Sequence, residues 1–302
     1  MKAIRIHQYG DVDQLVYEDA PEPRPGPGEV LIQLAATSIN PIDWKILSGA
    51  MQQFMPQKFP LILGRDAAGT VKQLGEGVTQ FKVGDRVLAL TFHTYAELVI
   101  AKAAEVARVP SALDLIEAAA LPVVTLTGVQ LMEEAVAPKP GQKILVTGAL
   151  GSVGRSAVYA AKRAGAKVIA GVRDNQRTDA LELDPSEVFA LDDATEYRRQ
   201  GPFDAVADTV GPDVTAKLLP LIKPDGKLIT TTQVPPNAAE YPQVHASGFQ
   251  VHADGTRLAA IAEDVHTKRF HIPIGRRLPL AQARQGVEAA RKGSAGKVLL
   301  LP

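Results

Sequence analysis

The stretch that decides the fold is Lys143–Gly154, with the sequence KILVTGALGSVG. Its first five residues form a short apolar run typical of a buried strand, and its last seven carry glycines at a spacing of three and three. Glycine lets backbone N–H groups approach a pyrophosphate closely, and the start of a following helix favours the phosphate charge. The pattern predicts a dinucleotide-binding turn, and a tight turn without a ligand is the alternative. The predicted contacts are Gly148, Gly151, Ser152, Val153 and Gly154.

The chain on both sides of this turn alternates apolar runs with helical segments. The runs predicted as further strands are KVIAGV (167–172), VFAL (188–191), DAVADTV (204–210) and GKLITT (226–231). Short apolar runs that alternate with helices are typical of a parallel sheet covered on both faces. This part of the chain therefore predicts a Rossmann domain with a doubly wound parallel sheet.

The remaining sequence favours a second, β-rich domain. Residues 1–113 contain short alternating strands separated by Pro and Gly clusters. After residue 253 come two helical segments, a turn predicted at PIGRRLPL (273–280) and a closing strand, KVLLL (297–301). The predicted fold class is α/β, with a β-rich domain at 1–113 completed by 253–302 and a Rossmann domain at 114–252.

The end of the KVIAGV strand indicates which dinucleotide is bound. NAD sites usually place an acidic residue there for the ribose 2′-OH, whereas NADP sites place a basic residue for the 2′-phosphate. Here Arg173 follows the strand, 19 residues after Gly154, and Arg177 lies one helical turn later. A guanidinium forms charge-assisted pairs with phosphate, so NADPH is the predicted cofactor. In the alternative interpretation Asp174 neutralises Arg173 and both arginines are solvated surface.

Composition excludes several classes of function. The 33 basic and 33 acidic side chains balance, without the basic excess that nucleic-acid binders usually show. The chain has no cysteine, which removes disulfides, thiolate nucleophiles and Cys-ligated metals. The longest uncharged stretch, Ala118–Met132, is too short and contains Pro122, so no membrane span is predicted. The first residues, MKAIRIHQYG, lack the features of a signal peptide, and a cytoplasmic protein is expected.

Six segments in fixed order carry a resemblance to a known family. They are SINPIDWKILSG (38–49), GRDAAG (64–69), GDRV (84–87), LTG (126–128), FDAVADTVG (203–211) and GKVLL (296–300). Together with the glycine turn they resemble the zinc-independent, zeta-crystallin-like quinone oxidoreductase branch of the medium-chain dehydrogenase/reductase superfamily. The resemblance implies a GroES-like domain for the substrate, a Rossmann domain for the nucleotide, and a homodimer. It also implies cofactor contacts at Thr209, Gly211 and Lys297.

The resemblance to the zinc-independent branch rests on the residues that this chain has where zinc-dependent relatives have their zinc ligands. Zinc-dependent relatives carry a cysteine where this chain has Asn40, and they have further cysteines in a lobe for which no room remains between Leu90 and Tyr95. No pair of the six histidines shows the i,i+4 spacing of ligands, so no metal is predicted. The family usually has Ala after its threonine, and Gly128 stands there in this chain, which is expected to be a small change.

Three residues are predicted to carry the chemistry. Reduction of an enone without a metal needs a hydride donor and hydrogen-bond donors aimed at the oxygen that gains charge. Asn40 and Lys45 are the predicted donors, and Thr127 resembles the family's threonine near the nicotinamide. In the alternative interpretations, Asn40 is a turn residue before Pro41, Lys45 is an exposed lysine at the start of a helix, and Thr127 is a core or capping hydroxyl.

The predicted function is NADPH-dependent reduction of a small quinone or α,β-unsaturated carbonyl by direct hydride transfer. An enoyl reductase acting on a carrier- or CoA-linked thioester is a second hypothesis, although Arg276 and Arg277 alone make a small basic patch. A non-catalytic NADPH-binding sensor or structural protein is a third. Natural substrates are not predicted, because loops form the pocket walls.

Overall fold

The computed structural model describes residues 1–302. The strands are β1 (Lys2–Ile6), β2 (Val16–Asp19), β3 (Glu29–Ser38), β4 (Leu61–Ile62), β5 (Asp66–Leu74), β6 (Arg86–Leu90), β7 (Leu98–Lys102), β8 (Val106–Arg108), β9 (Lys143–Thr147), β10 (Lys167–Val172), β11 (Glu187–Ala190), β12 (Phe203–Asp208), β13 (Ile222–Thr230), β14 (His245–Gly248), β15 (Ile274–Pro279) and β16 (Lys297–Leu301). The α-helices are α1 (Pro41–Leu47), α2 (Leu115–Ala118), α3 (Pro122–Gln130), α4 (Ser152–Arg163), α5 (Arg177–Ala180), α6 (Pro212–Leu218), α7 (Gly255–His266) and α8 (Ala283–Arg291). None of the helices is long and apolar enough to cross a membrane.

The chain divides into two compact units. Unit 1 consists of Met1–Val123 and Ala253–Pro302, and unit 2 consists of Val124–His252. The sequence analysis placed the first boundary after residue 113, whereas the structure places it within α3. The difference arises because α2, which follows residue 113, packs against β3, β5 and β6 of unit 1.

Unit 2 is built on one parallel sheet of six strands. The strands lie in the order β11-β10-β9-β12-β13-β14, and every neighbouring pair is parallel. This is the order of a doubly wound dinucleotide-binding sheet, in which the direction of winding reverses between the first and fourth strands of the sheet, counted along the chain. The predicted Rossmann fold is confirmed. Its reversal point lies between β9 and β12.

The register of this sheet brings three polar residues to one edge. Thr147 ends β9, Asp208 ends β12 and Thr230 ends β13, and Asp208 lies opposite Thr230 in the ladder. Because the strands are parallel, their carboxyl ends meet at the same edge of the sheet. The apolar core of unit 2 lies beneath this edge and includes Phe189 and Phe203, both fully buried.

Unit 1 is built on two antiparallel-rich sheets. A small sheet has the order β2-β1-β4, and a larger one has the order β15-β16-β3-β5-β6-β8, with β7 also paired to β3. Strand β16 therefore lies between β15 and β3, although it comes more than 250 residues later than β3 in the chain. The predicted turn at PIGRRLPL is wrong for residues 274–279, which form β15. These residues pair in parallel with β16 because the closing strand gives them a backbone partner.

Candidate functional site

The glycine turn lies where the strand order of the parallel sheet reverses. Gly148 follows β9 with a φ of 62°, in the left-handed region that favours glycine. A Cβ atom on Gly154 would lie 2.1 Å from the carbonyl oxygen of Gly148, so the first turn of α4 has no room for a side chain there. In sheets of this order, ligands bind beside the carboxyl ends of the strands at the reversal point. The packing of the turn thus fits a pyrophosphate held by backbone groups.

Helix α4 begins directly after this turn. Gly151 is its N-cap, and the Gly151 N–H already donates to the carbonyl oxygen of Gly148 at 2.9 Å. Ser152 and Val153 form the first turn, where backbone N–H groups have no acceptor within the helix. The positive end of the helix dipole adds to the attraction for an anion at this position. Ser152 and Val153 are therefore placed to donate to a phosphate.

Asp208 holds the polar edge of unit 2 together. Its Oδ1 accepts from Thr147 Oγ1 at 2.6 Å, and its Oδ2 accepts from Thr230 Oγ1 at 2.6 Å. The carboxylate is fully buried, so these hydrogen bonds compensate for its removal from water. Asp208 thereby links the ends of β9, β12 and β13 in one arrangement.

Thr209 and Gly211 belong to the same edge. The hydroxyl of Thr209 donates to the carbonyl oxygen of Thr147 at 2.7 Å, and the Gly211 N–H donates to Asp208 Oδ1 at 3.3 Å. Gly211 has a φ of 140°, which a side chain would disfavour. The structure brings both predicted cofactor contacts to the glycine turn, with the hydroxyl of Thr209 engaged by the backbone of β9.

The two predicted phosphate arginines differ in their surroundings. Arg177 Nε lies 2.7 Å from Asp174 Oδ1, and a second Arg177 nitrogen lies 3.4 Å from Glu196 Oε1. The hydrogen bond to Asp174 raises the pKa of Arg177. Arg173 follows the last residue of β10, is exposed, and takes part in no ion pair. Asp174 therefore pairs with Arg177 and leaves Arg173 as the open guanidinium at the end of β10.

In unit 1, Asn40 caps α1 and is fully buried. Its Nδ2 donates to Asp66 Oδ2 at 2.7 Å and to the carbonyl oxygen of Ser38 at 3.3 Å. Its Oδ1 accepts from Lys297 Nζ at 2.7 Å. Every polar atom of the Asn40 side chain is therefore engaged within unit 1.

Lys297 is predicted as a cofactor contact, but the structure directs its ammonium into the core of unit 1. Nζ donates to the carbonyl oxygen of Ile39 at 2.9 Å and to Asn40 Oδ1, and it lies 3.8 Å from Asp66 Oδ2. Burial lowers the pKa of Lys297, while Asp66 and Asp43 oppose that change. The pairing of β16 with β3 brings Lys297 to this position.

Asp43 forms the next layer of the same cluster. Its Oδ2 accepts from the Asn40 N–H at 2.8 Å and from the hydroxyl of Tyr95 at 2.7 Å. Burial raises the pKa of Asp43 from its usual 3.8 to about 6, although both hydrogen bonds lower it. The other carboxylate oxygen, Oδ1, is buried without a hydrogen-bond partner. Tyr95 is fully buried beside this carboxylate, and burial raises its pKa.

The other two predicted catalytic residues lie outside this cluster. Lys45 is half-buried in the last turn of α1, where a cation interacts favourably with the helix dipole. Thr127 is buried in α3. The Lys45 side chain does not donate to the network around Asn40, and Thr127 belongs to unit 2.

Sequence reasoning missed Asp66, Tyr95 and Asp208. Asp66 begins β5 and Asp208 ends β12, each as a single acidic residue, and only the three-dimensional structure supplies their partners. GRDAAG contributed to the family resemblance, but nothing in that segment indicates that Asp66 contacts residue 297.

The donor set of unit 1 does not fit a zinc ion. The chain contains no cysteine, and no group of three or more His, Asp or Glu side chains could hold a metal. Lys297 places a cation 2.7 Å from Asn40 Oδ1 and 3.8 Å from Asp66 Oδ2. A metal ion at this position would have to displace that ammonium.

Two family models match parts of this chain, one in unit 1 and one that begins in unit 2. Residues 26–111 match the family model described as the alcohol dehydrogenase GroES-like domain, and residues 183–300 match the model described as zinc-binding dehydrogenase. The first match covers much of unit 1. The second extends from unit 2 into the strands that complete unit 1.

Individual relatives agree with these matches. The chain is 35% identical over 249 residues to the chloroplast envelope quinone oxidoreductase homolog of Arabidopsis thaliana, covering 78% of this chain and 76% of that protein. The quinone oxidoreductase of Coxiella burnetii has a similar structure, with a TM-score of 0.91 and 26% identity over 100% of this chain and 99% of the other. A mycobacterial protein solved with NADPH has a TM-score of 0.87 and 27% identity, with full coverage of both chains. The chain therefore belongs to the quinone oxidoreductase branch of the medium-chain dehydrogenase/reductase superfamily, and it is an oxidoreductase.

Proposed function

We propose that this chain reduces quinones or α,β-unsaturated carbonyls with NADPH, by direct hydride transfer and without a bound metal. The observation that carries the cofactor assignment is Arg173, exposed and without an ion pair at the end of β10. A basic residue at this position suits the 2′-phosphate of NADPH, whereas an acidic one would suit the 2′-OH of NADH. The mycobacterial structural relative with bound NADPH supports the same choice.

Different parts of unit 2 would hold different parts of the cofactor. The first N–H groups of α4 and the glycine turn would bind the pyrophosphate, and Arg173 would bind the 2′-phosphate. Arg177 would add longer-range positive charge, because its guanidinium is already paired with Asp174. Asp208 would hold Gly211 directly, and it would hold Thr209 through the Thr147 hydroxyl, which accepts from the Thr209 N–H and donates to Asp208. When bound, NADPH supplies the hydride.

In unit 1 we propose a positioning role for Asn40 and Lys297. Both amide hydrogens of Asn40 are used by Ser38 and Asp66, which leaves no donor for a substrate oxygen. Lys297 holds the carbonyl oxygen of that amide and so fixes its orientation. Lys45 and Thr127 remain proposed contacts to the substrate oxygen and the nicotinamide.

The test measures nucleotide binding together with turnover. NADPH should bind at least about tenfold more tightly than NADH, because one charge-assisted hydrogen bond to phosphate contributes about 1.5–3 kcal/mol. R173A should lose most of this preference and leave NADH binding unchanged. Calorimetric titration of both nucleotides gives the dissociation constants, and NADPH oxidation with 1,4-naphthoquinone gives turnover.

R198A is the matched control, because Arg198 is also exposed in unit 2 and its loss changes the net charge equally. It should keep the wild-type preference. Equal affinities of the wild-type protein for NADPH and NADH would contradict the 2′-phosphate assignment.

The same assay separates the other hypotheses. A thioester reductase would oxidise NADPH with an enoyl-CoA in preference to quinones and simple enones. A sensor or structural protein would bind NADPH and oxidise it with none of these compounds. A cytoplasmic homodimer is a prediction from the resemblance and the N-terminal sequence, and size-exclusion chromatography tests the dimer.

A further inference from the structure

Unit 1 contains a pocket lined by apolar residues and by four polar side chains, those of Asp43, Gln57, Arg65 and His93. The pocket encloses a cavity of only about 20 Å³ and opens to solvent, and Asp43 and Arg65 are among its lining residues. Its apolar walls include Ile46, Leu63 and Phe92. Ile46 and Leu63 also belong to the buried apolar cluster of unit 1, so these walls are part of the core.

Arg65 is half-buried, and its guanidinium has no hydrogen-bond or ion-pair partner in the chain. The group lies over the ring of Phe92, 4.0 Å from the ring centroid. Burial lowers the pKa of Arg65, and the nearby carboxylates of Asp43 and Asp66 oppose that change. Of its nitrogens, Nε is buried without a partner, and removing an unused donor from water is costly. This donor points to an acceptor supplied by a ligand.

In the same pocket, Asp43 has a carboxylate oxygen that lacks a hydrogen-bond donor. Its side chain is 1% exposed, and Oδ1 has no partner, whereas Oδ2 is held by Asn40 and Tyr95. Orientation of the carboxylate is thus fixed by two bonds that leave one oxygen available. A buried carboxylate oxygen of this kind accepts a hydrogen bond from a ligand hydroxyl.

We propose that this pocket binds the reducible end of the substrate, with Arg65 donating to a carbonyl oxygen and Asp43 Oδ1 accepting from the hydroxyl of the reduced product. The ligand class is a small, neutral ring compound whose oxygen is a carbonyl before reduction and a hydroxyl after it. Because the enclosed space is small, only the oxygen enters it, where the two polar groups recognise its two forms, and the ring packs against the apolar residues at the open mouth. This inference rests on the proposed reductase function and adds Arg65 to Lys45 as a proposed donor to the substrate oxygen.

Charge supports a neutral ligand over a carboxylate. Asp43 and Asp66 both act on Arg65, so the guanidinium does not present an uncompensated positive field. A ligand carboxylate would also approach Oδ1 of Asp43, an acceptor, and would be repelled when Asp43 is ionised. A carbonyl oxygen accepts from Arg65 without that repulsion.

The test measures binding of 1,4-naphthoquinone in the absence of nucleotide. Trp44 is the only tryptophan, follows Asp43 directly, and packs against the same apolar cluster, so the bound quinone should quench its fluorescence. The chain has no cysteine to react with the quinone. R65M should raise the dissociation constant about tenfold or more, the effect of losing a hydrogen bond to a charged donor. R65K keeps the charge on a different donor and should fall between the two.

R108M is the matched control. Arg108 also lies over an aromatic ring in unit 1, 5.0 Å from the centroid of Phe81, but it does not line the pocket. Circular dichroism and the urea midpoint of each variant establish that it is folded, and R108M should bind the quinone as the wild type does.

The outcomes separate this inference from the reductase function. Arg65-dependent quinone binding by a protein that oxidises no NADPH would uphold the pocket and overturn the function. Turnover of 1,4-naphthoquinone with NADPH, at an unchanged dissociation constant and kcat/KM in folded R65M, would uphold the function and overturn the pocket. Arg65-dependent binding of benzoate in place of the quinone would overturn the choice of a neutral carbonyl.

Discussion

At the scale of single residues, Asp43 makes the stability of this protein depend on pH. Burial raises the pKa of Asp43 to about 6, above the usual 3.8. Between these values the native state holds a proton that the unfolded chain has released. The native state therefore binds more protons, and the free energy of unfolding falls as the pH rises through this range. The loss from Asp43 is complete above pH 6 and amounts to about 3 kcal/mol at most.

D43N should remove this contribution, because an amide does not ionise and its oxygen can still accept from Asn40 and Tyr95. Relative to wild type, the variant should become more stable as the pH rises from 4 to 7. Urea unfolding at several pH values measures the difference. D114N is the control, since Asp114 caps α2 from an exposed position in the same unit. An identical pH dependence of D43N and wild type would contradict the raised pKa.

Single residues are also where sequence reasoning was most limited. The motif around Asn40 identified an important position, but the donor role predicted for that amide needs hydrogens that Ser38 and Asp66 already use. Sequence analysis used Arg65 only as part of the segment GRDAAG. That its side chain lacks a partner is a property of the folded chain, which the sequence does not show. Sequence patterns show which residue types occur at the spacing that a motif requires. They do not reveal which polar atoms remain unsatisfied after folding.

At the scale of elements, the contact between α3 and α4 depends on a missing side chain. A Cβ atom on Gly128 would lie 2.5 Å from the carbonyl oxygen of Val153 and 2.5 Å from Ser156 Cβ. The expectation that Gly128 in place of alanine is a small change is therefore wrong for this chain. Its α3 packs directly against the backbone of α4, which the sequence of α3 alone does not indicate.

G128A should consequently destabilise the protein by about 1–3 kcal/mol, the usual cost of overpacking a tight contact. It should also weaken NADPH binding, since the affected turns of α4 include Val153. Urea unfolding and nucleotide titration measure the two effects. G248A is the control, because a Cβ atom on Gly248 of β14 meets nothing within 4 Å. Equal stability of G128A and wild type would show that the helices can separate at little cost.

Elements themselves were predicted well where the pattern is local. The strands and helix around the glycine turn follow from apolar runs and glycine spacing, and both are confirmed. Strand β15 was missed because its exposed residues, including Arg276 and Arg277, do not alternate in a strand-like way. Only pairing with β16 makes it a strand, and no local pattern records a partner.

At the scale of the whole molecule, the donor inventory predicts the metal content. The chain has no cysteine and no cluster of three acidic or histidine ligands. The purified protein should therefore contain far less than one zinc per chain, and a chelator should leave activity unchanged. Elemental analysis and an assay after EDTA dialysis check this expectation. One tightly held zinc per chain, with activity lost on its removal, would overturn the metal-free proposal.

The bond between Lys297 and Asn40 has a consequence for how the protein is made. Its two residues are 257 positions apart, and the whole of unit 2 lies between them in the chain. When all residues of unit 2 have left the ribosome, Lys297, whose ammonium contacts Asn40 and Asp66 in the folded protein, has not yet emerged. During synthesis, then, unit 2 has all its residues before unit 1 does. The carboxylate of Asp66 therefore has no contact with the Lys297 ammonium until β16 has been synthesised and has paired with β3.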